Sequence, residues 1–388
     1  MYEILTLNKI AKCGLDLLDP AKYNISDDAK NPDGVILRSY NMHDMELPAS
    51  LKAIARAGAG VNNIPIDKCS EAGIVVFNTP GANANAVKEL TITGLLLASR
   101  KIVDGINWAK TLKDEADAAK LVEKGKSNFV GPEIEGKRLG VIGLGAIGVM
   151  VANVAYSLGM EVVGYDPYIS VDAAWGMSRH VKKATDLKQL VETCDYITLH
   201  LPLNDSTKGM INKEVFDMMP KGTRLLNFSR AALVDNAALK DAIADGTIAC
   251  YVTDFPDAET LSMDGVICLP HLGASTPESE DNCAKMAANE IDRYLAEGVI
   301  VNSVNYPNCD LPLEEGKARV TIAHRNVPNM LSSFSNVFAG DDINISNMLN
   351  KSKKDYAYTI IDADMDIIPD DITEKLAAIE GVLRVRVI

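Results

Sequence analysis

A histidine, an arginine and two carboxylates each follow a strand-like apolar segment in the second half of the chain: Arg230, Asp254, Glu259 and His271. A histidine can exchange a proton near neutral pH, and the planar guanidinium of an arginine can bind both oxygens of a carboxylate. A carboxylate beside an imidazole favours the protonated ring and fixes its tautomer. These residue types suit proton transfer next to a bound carboxylate, which makes Arg230, Glu259 and His271 candidate catalytic residues.

A glycine-rich turn indicates a binding site for a dinucleotide cofactor. Residues 143–148 read Gly-Leu-Gly-Ala-Ile-Gly, between a strand-like and a helical segment, and Asp166 ends the next strand-like segment. In this arrangement the glycines admit a pyrophosphate, the helix N-terminus offers free amides, and the acidic residue binds a ribose. Asp166 would repel a 2′-phosphate, and residues 167–172 contain no arginine or lysine. We therefore predict NAD rather than NADP.

Three groups of segments resemble the signatures of the D-2-hydroxyacid dehydrogenase family: 143–148 with Asp166, 225–235 (LLNFSRAALVD), and 254–259 with 270–276. The resemblance implies that Arg230 clamps the substrate carboxylate and carbonyl, that His271 is the acid/base, and that Glu259 is its partner. It implies that Asp254 holds the nicotinamide amide. The positions that it assigns to the cofactor are Gly143, Gly145, Ala146, Ile147, Gly148, Asp166, Pro167, His200, Pro202, Phe228, Ser229, Asp254 and Gly273.

The chain departs from the family pattern at two places. Ala231 stands where the family usually has glycine, and residues 254–259 read DFPDAE rather than the commoner D-V-F-x-x-E. The acidic loop also reaches His271 after fewer residues than in many relatives. Asp257 therefore competes with Glu259 for the role of partner, and both assignments stay open.

Two arginines, Arg38 and Arg56, are the only ones before residue 100, and each ends or lies within a strand-like segment. In a chain of net charge −14, arginines so placed suggest a second anionic group on the substrate. The segments RSYN, ARAGAGVNNI and NTPGANANAVKELT resemble the subgroup of the family that oxidises D-3-phosphoglycerate. That resemblance implies phosphate binding by Arg38 and Arg56 beside Ser39, and carboxylate binding by backbone amides near Gly58 and Gly60.

Several alternatives stay open. Lys126 lies in the polar segment 110–127, which resembles an arm that reaches the active site of a neighbouring subunit; a solvated run of charges is the other interpretation. Related chemistry on other substrates, as in erythronate-4-phosphate dehydrogenases or glyoxylate/hydroxypyruvate reductases, fits the same motifs. A non-catalytic NAD-sensing regulator is a further alternative.

The elements that position these residues alternate between strand and helix, which predicts an α/β fold with parallel sheets. With the family resemblance, we expect a Rossmann-type doubly wound NAD-binding domain at 89–274. It would be inserted in a flavodoxin-like substrate-binding domain formed by 1–88 and 275–305. One largely buried helix is expected from 87 to 104. After a linker, residues 318–388 show the order βαββαβ.

The segment 318–388 resembles the ACT domain, a small-molecule sensor. By that resemblance His324, Asn326 and Asn344 bind L-serine as an effector at an interface between two such domains. Asn329 and Asp342 stand where glycine is common, which leaves the shape of the loop in question. A dimerisation module without a ligand is the alternative, and we expect a homodimer or homotetramer.

Composition limits the partners. The acidic balance of 39 Lys+Arg against 53 Asp+Glu disfavours nucleic acid and anionic membranes. Seven scattered cysteines without a C-x-x-C pair favour a reducing compartment over disulfides or a zinc site. The first residues lack the pattern of a signal peptide, and the longest apolar stretch is too short to span a bilayer. We expect a cytoplasmic protein without a metal.

Overall fold

The structure is a computed structural model that describes residues 1–314 and 316–388. The chain forms two compact units, one of residues 84–276 and one of residues 1–83 with 277–388. The crossover points at 83/84 and 276/277 lie within a few residues of the predicted boundaries at 88/89 and 274/275. Residues 318–388 belong to the same unit as 1–83, so their separation as an independent domain stays a prediction.

Residues 1–83 contain five strands and two short helices: β1 (Tyr2–Leu7), α1 (Lys12–Leu15), β2 (Tyr23–Ser26), β3 (Gly34–Leu37), β4 (Ala53–Arg56), α2 (Ile66–Glu71) and β5 (Val75–Asn78). The strands pair in parallel in the order β2-β1-β3-β4-β5. This is the flavodoxin-like order, whose ligands bind beyond the carboxyl ends of the strands near the point where the order reverses. Arg38 and Arg56 end or follow β3 and β4 at that edge, and the predicted fold of this segment is confirmed.

The unit 84–276 contains seven strands and eight helices: α3 (Ala84–Ser99), α4 (Ile102–Thr111), α5 (Ala118–Gly125), β6 (Arg138–Ile142), α6 (Ala146–Ser157), β7 (Glu161–Tyr165), α7 (Val171–Gly176), β8 (Lys182–Lys183), α8 (Leu187–Val191), β9 (Tyr196–Leu199), α9 (Lys213–Asp217), β10 (Thr223–Asn227), α10 (Asn236–Ala244), β11 (Ile248–Thr253) and β12 (Val266–Cys268). All strand pairs are parallel, in the order β12-β11-β10-β9-β6-β7-β8. The order reverses between β6 and β9, which is the Rossmann arrangement. The doubly wound prediction is confirmed.

The expected single helix from 87 to 104 is wrong, because α3 ends at Ser99 and α4 begins at Ile102. The hydroxyl of Ser99 donates to the carbonyl of Leu95 and lies 2.9 Å from the hydroxyl of Tyr196. Gly131 packs so closely here that a Cβ on it would lie 2.1 Å from the Ser99 carbonyl oxygen. A tertiary contact therefore stops a helix that the local apolar pattern would continue.

The chain then forms a long helix and a four-stranded antiparallel sheet: α11 (Pro277–Glu297), β13 (Ala318–Arg325), α12 (Met330–Gly340), β14 (Ile345–Lys353), β15 (Tyr356–Ala363), α13 (Asp370–Ala377) and β16 (Val382–Val387). The sheet order is β14-β15-β13-β16. Fully buried residues of the two helices, among them Phe334, Phe338 and Ile372, form one core with strand residues such as Val320 and Ile361. The predicted order βαββαβ is confirmed.

Side chains of this sheet hold the C-terminal end of α11. Arg386 donates to the carbonyls of Tyr294 (3.0 Å) and Leu295 (2.9 Å), and Arg319 donates to that of Glu297 (2.9 Å). Arg319 also forms an ion pair with Asp362, and both side chains are completely buried. The last carbonyls of a helix lack intrahelical partners and carry partial negative charge. Two guanidinium groups therefore supply the cap that this helix needs.

Glu290 lies on the buried face of α11 and is 7% exposed. Its Oε1 accepts a hydrogen bond from Asn302 (2.8 Å), whereas its buried Oε2 has no partner among residues 1–314 and 316–388. Burial raises the pKa of Glu290 to about 8, because a desolvated carboxylate is disfavoured. The carboxyl group is therefore mostly protonated at neutral pH.

In the part of the chain that the structure describes, we find no helix that combines the length and apolarity needed to cross a bilayer.

Candidate active site

The glycine turn joins β6 to α6 at the point where the strand order reverses. A Cβ on Gly148 would lie 1.9 Å from the carbonyl oxygen of Gly143, so only glycine fits there. A Cβ on Gly145 would meet no described atom within 4 Å. The first contact closes the turn, and the open space at Gly145 admits a ligand to the backbone.

The N-terminus of α6 is suited to bind an anion. The helix starts at Ala146, after Gly145, and no side chain within the described residues caps it. The amides of its first turn, including those of Ile147 and Gly148, point away from the helix and carry partial positive charge. A pyrophosphate at this position would satisfy them.

Asp166 is fixed against the glycine turn. One carboxylate oxygen accepts from the backbone N–H of Leu144 and the other from that of Tyr168, each at 2.8 Å. The carboxylate is thus held beside the turn, where its remaining lone pairs can accept from ribose hydroxyls. Pro167 follows it at the exposed surface.

Two buried polar atoms near the ends of β9 and β11 have no hydrogen-bond partner within the described residues: Nδ1 of His200 and Oδ1 of Asp254. The other oxygen of Asp254 accepts from the backbone N–H of Gly273 at 3.1 Å, and burial raises the pKa of Asp254. Nε2 of His200 lies 3.0 Å from the Thr198 hydroxyl, and burial lowers the pKa of His200 to about 3, so the ring is neutral. Unsatisfied buried polar atoms are rare, and these two suit a ligand with amide donors and acceptors. A nicotinamide carboxamide meets that description.

Other predicted cofactor residues line the same strand ends. The hydroxyl of Ser229 donates to the carbonyl of Leu199 at 2.7 Å, which ties the loop after β10 to β9. Phe228 is buried and leaves no room for a side chain at Gly94, where a Cβ would lie 2.6 Å from its ring. Pro202 is exposed. Ser229 and Phe228 are thus fixed beside these strand ends, and contact of the three residues with a nucleotide stays a prediction.

Arg230 is presented by a loop that a buried asparagine holds. Asn227 donates to the carbonyl of Arg230 (2.9 Å) and accepts from the N–H groups of Ser229 (3.1 Å) and Arg230 (3.3 Å). The guanidinium donates to the carbonyl of Ser229 (2.6 Å) and remains exposed. The sequence analysis did not identify Asn227, although a polar residue that ends an apolar strand was a usable signal.

His271 and Arg230 both contact the ring of Phe255. The His271 ring centroid lies 4.6 Å from that of Phe255, and the guanidinium carbon of Arg230 lies 6.0 Å from it. His271 has a positive φ of 43°, and its backbone N–H donates to the carbonyl of Asp254 at 3.0 Å. The predicted acid/base, His271, and the predicted clamp, Arg230, therefore both lie against the ring of Phe255. The sequence analysis did not identify Phe255.

The acidic loop does not reach His271 in this structure. Within the described residues neither Asp257 nor Glu259 forms a hydrogen bond with the His271 ring. Both carboxylates instead accept from the side-chain amide of Asn236, at 2.8 Å for Asp257 and 3.2 Å for Glu259. Asp257 also accepts from the backbone N–H and hydroxyl of Thr260, each at 2.8 Å. These bonds lower the pKa of Asp257. The identity of the partner of His271 stays a prediction.

In the other unit, Arg38 and Arg56 lie together at the ends of β3 and β4. Nε of Arg56 donates to the carbonyl of Arg38 at 3.0 Å, and the Arg56 guanidinium lies over Gly58, where a Cβ would come within 2.6 Å of Nη1. Arg38 pairs with Glu280 of α11 at 2.6 Å, with both side chains more than 40% exposed. A pair this exposed is weak, so an anion can replace Glu280.

The remaining predicted substrate residues are at the surface. The backbone N–H of Ser39 donates to Asn8 at 3.0 Å, and Gly60 lies in the loop after β4. Lys126 is exposed and pairs with Glu123. That contact suits the solvated-charge interpretation of Lys126, and its role in a second subunit stays a prediction.

The three predicted effector residues do not converge within one chain. His324 is 2% exposed, and its ring nitrogens lie 2.9 Å from the carbonyl of Arg325 and 2.8 Å from the Thr359 hydroxyl. A ligand contact at His324 would have to displace one of those bonds. Asn326 donates to the carbonyl of Lys354, just after β14, whereas Asn344 immediately precedes β14. At about 3.3 Å per residue the two ends of β14 are roughly 30 Å apart.

No group of three or more His, Cys, Asp or Glu residues in the described ranges 1–314 and 316–388 is arranged to hold a metal ion.

Comparison with known proteins agrees with these features. The family model described as "D-isomer specific 2-hydroxyacid dehydrogenase, NAD binding domain" matches residues 92–273. The chain is 36% identical over 296 residues to a D-3-phosphoglycerate dehydrogenase of Methanocaldococcus jannaschii, which covers 74% of this chain. It is 33% identical over 353 residues to that of Escherichia coli, which covers 87% of this chain and 82% of the relative. The chain spans 54% of the length of the M. jannaschii relative.

A solved structure with the same architecture is the NAD⁺-bound 3-phosphoglycerate dehydrogenase of Entamoeba histolytica. It is 28% identical to this chain, with a TM-score of 0.61, and the match covers 78% of this chain and 98% of that one. The bound NAD⁺ in that structure agrees with the nucleotide site inferred from the glycine turn.

Proposed function

Because the chain belongs to the D-isomer-specific 2-hydroxyacid dehydrogenase family, we propose that it oxidises D-3-phosphoglycerate to 3-phosphohydroxypyruvate with NAD as cofactor. This reaction is the first step of the phosphorylated route to L-serine. The names of the relatives in M. jannaschii and E. coli support the choice of substrate.

The roles of the residues follow from their chemistry. NAD, when bound, accepts the hydride that leaves C2 of the substrate. His271 takes the proton of the C2 hydroxyl, and Arg230 binds the substrate carboxylate through two parallel hydrogen bonds. Asp254, with its unpartnered Oδ1, accepts from the carboxamide of the nicotinamide. The substrate thus loses one hydride and one proton, which balances the oxidation of an alcohol to a ketone.

The observation that carries the choice of substrate is the pair of guanidinium groups at adjacent strand ends, Arg38 and Arg56. A 2-hydroxy acid needs one cation for its carboxylate, and Arg230 supplies it. Two further arginines on an acidic chain suit a second, doubly charged group such as a phosphate. Glu280 neutralises Arg38 until that group arrives.

The test is NADH formation from D-3-phosphoglycerate, followed at 340 nm, and the reverse reaction with glyoxylate as an unphosphorylated substrate. We expect Arg38→Ala and Arg56→Ala to lower kcat/KM for the phosphorylated substrate about 10- to 100-fold, the worth of a charge-assisted hydrogen bond, and to spare glyoxylate. Arg293→Ala is the matched control, since Arg293 is as exposed as Arg38 (41%) and has a similar single ion pair. Equal losses on both substrates, or no NADH from D-3-phosphoglycerate, would refute the assignment.

The resemblance of residues 318–388 to the ACT domain supports a second, regulatory proposal, that L-serine inhibits the enzyme. Since Asn326 and Asn344 lie at opposite ends of β14, a shared serine site requires two copies of the domain. Titration of L-serine into the assay, with D-serine as the control, should lower the rate of the wild type. The proposal predicts that Asn326→Ala and Asn344→Ala each weaken this effect; a rate unchanged at millimolar L-serine contradicts it.

A further inference from the structure

Phe255 follows β11 and is held in place by its neighbours in the chain. Its backbone N–H donates to the hydroxyl of Thr253 at 3.1 Å, and Asp254, which precedes it, is completely buried. Pro256 follows it, and a residue before a proline is restricted to extended backbone. The half-buried ring of Phe255 is therefore presented from a backbone position that the end of the strand fixes.

The ring of Phe255 lies beside the guanidinium of Arg230. The guanidinium carbon is 6.0 Å from the ring centroid, at the limit of about 6 Å within which an aromatic face attracts a cation. The hydrogen bond that the guanidinium donates goes to the carbonyl of Ser229, in the same loop. A long, exposed side chain samples many rotamers. A second contact, from the end of a different strand, therefore restricts where the guanidinium can lie.

The imidazole of His271 contacts the same ring. The two ring centroids are 4.6 Å apart and the planes are inclined by 48°, which lies within the range of favourable aromatic pairs. Neither nitrogen of the imidazole forms a hydrogen bond with any residue of 1–314 or 316–388. A residue that exchanges a proton with a substrate needs such a nitrogen free. The aromatic contact therefore orients the imidazole without occupying the atom that would react.

We propose that Phe255 is a positioning residue that keeps the guanidinium of Arg230 and the imidazole of His271 in a fixed relation to each other. The inference rests on the proposed function, in which these two groups bind and deprotonate one substrate. The commoner loop pattern D-V-F-x-x-E has valine at the position of Phe255 and its aromatic residue one place later. Valine has no ring, so both contacts depend on this departure of the chain from the family pattern.

Both contacts require an aromatic ring rather than an aliphatic side chain of similar size. A cation over a ring and a tilted pair of rings each correspond to about a two- to tenfold change in an equilibrium constant. The substrate must meet Arg230 and His271 at the same time, and small errors in their placement are costly in rate. Loss of the ring should therefore raise KM through Arg230 and lower kcat through His271.

The first test compares variants that keep or remove the ring. Phe255→Leu keeps apolar bulk without the ring and should lower kcat/KM for D-3-phosphoglycerate about 5- to 50-fold, with changes in both KM and kcat. Phe255→Tyr keeps the ring and should retain most of the activity. The affinity for NADH, from a fluorescence titration, should stay close to that of the wild type in both variants. Leu261→Ala is the control, because it alters an apolar side chain of the same loop that is 66% exposed.

Fluorinated phenylalanines at position 255 isolate the contact with Arg230. Each added fluorine withdraws electron density from the face of the ring and changes its shape very little, so attraction to a guanidinium weakens stepwise. We expect KM for D-3-phosphoglycerate to rise in order with one, two and three fluorine atoms, since Arg230 binds the substrate carboxylate. A purely structural role for the ring would not produce this order.

The contact with His271 has a spectroscopic signature that needs no turnover. The ring current of an aromatic side chain shifts the NMR resonances of protons that lie close to it. In protein labelled with ¹³C at Cε1 of histidine, Phe255→Leu should therefore move the resonance of His271 and leave those of the other histidines in place. His271→Asn identifies the signal among the five histidines, and Leu261→Ala should leave it unmoved.

The outcomes separate the two proposals. A wild type that binds NADH but turns over no 2-hydroxy acid defeats the proposed function, and the NMR comparison still tests the contact between Phe255 and His271. The assignment of Phe255 is overturned by wild-type kcat/KM in Phe255→Leu, by a KM that is the same at every degree of fluorination, or by a His271 resonance that does not move. A loss of NADH affinity as large as the loss of kcat/KM also contradicts it, because the ring would then support the fold of the whole site.

Discussion

Replacing Glu290 with glutamine should stabilise the chain at neutral and alkaline pH and change little at pH 5. The folded state holds a carboxyl group with a pKa of about 8, whereas an exposed glutamate titrates near 4.5. Below pH 4.5 both states bind the proton and pH has no effect. Between pH 4.5 and 8 the folded state keeps a proton that the unfolded state releases, so the free energy of unfolding falls as pH rises.

The size of the effect follows from the shift. One pKa unit corresponds to about 1.4 kcal/mol. Relative to its value below pH 4.5, the free energy of unfolding is therefore lower by about 3 kcal/mol at pH 7, by about 5 kcal/mol at pH 9 and by less than about 1 kcal/mol at pH 5 because of this one carboxyl group. Glutamine can still accept the hydrogen bond from Asn302 and carries no charge, so Glu290→Gln should recover these amounts.

The measurement needs a probe that responds to unfolding of the unit that contains Glu290, residues 1–83 with 277–388. Both tryptophans, Trp108 and Trp175, lie in residues 84–276, whereas Glu290 lies in the other unit. Calorimetry, or circular dichroism with urea, at pH 5, 7 and 9 should therefore replace tryptophan fluorescence. Glu278→Gln is the control, because Glu278 is exposed in the first turn of the same helix. It should lower stability slightly, since a negative charge there favours the helix.

The reasoning fails if Glu290→Gln changes stability equally at the three pH values, or if it destabilises the protein at pH 9. Either result would mean that the carboxylate is ionised in the folded state and has a partner there.

Gly148→Ala should weaken NADH binding at least tenfold in a fluorescence titration, because its Cβ would lie 1.9 Å from the Gly143 carbonyl oxygen; wild-type affinity would show that the turn tolerates a side chain. Asp362→Asn should cost about 3–5 kcal/mol in calorimetry because it leaves the fully buried Arg319 without its counter-charge. A cost below about 1 kcal/mol would mean that the carbonyls around Arg319 suffice. Asp166→Ser should raise the ratio of kcat/KM for NADP to that for NAD at least tenfold, since it removes the repulsion of a 2′-phosphate. An unchanged ratio would assign cofactor preference to other residues.

The features that the sequence predicted best are those formed by residues close together in the chain. The glycine turn, the strand before it and the acidic residue after the next strand are neighbours in the chain, and the structure has them as predicted. The order of elements in 318–388 was likewise readable from alternating apolar segments. The two strand orders followed once the family resemblance supplied the topology.

Features that depend on tertiary proximity were missed. The break between α3 and α4 arises from Gly131, some thirty positions away, and no local signal marks it. Phe255, Asn227 and Asn236 each act through neighbours from another strand or helix. Of these three residues, only Asn227 had a recognisable sequence signal, because it is a polar residue at the end of a buried strand.

His324 is a residue whose type suggested a ligand site and whose side chain the structure shows packed and hydrogen-bonded, so its role in effector binding stays a prediction. It lies on β13, in the middle of the sheet, with its ring against Phe334. A histidine with both nitrogens satisfied inside a core is neutral, and burial lowers its pKa here. Sequence position alone could not distinguish such packing from effector binding.

The arginine cap on α11 has a consequence for how this chain can be shortened. Pro277 follows His271 by six residues, so the same helix that Arg319 and Arg386 hold at one end is joined by a short segment at the other to the histidine that we predict to be catalytic. Removal of residues 318–388 would leave the carbonyls of Tyr294, Leu295 and Glu297 without these hydrogen bonds, and the ring of Tyr294 without the guanidinium of Arg386 over it. A truncated protein would thus begin to fray from the far end of that helix, and any fusion, split or domain exchange made near residue 317 must supply two buried cations in exchange.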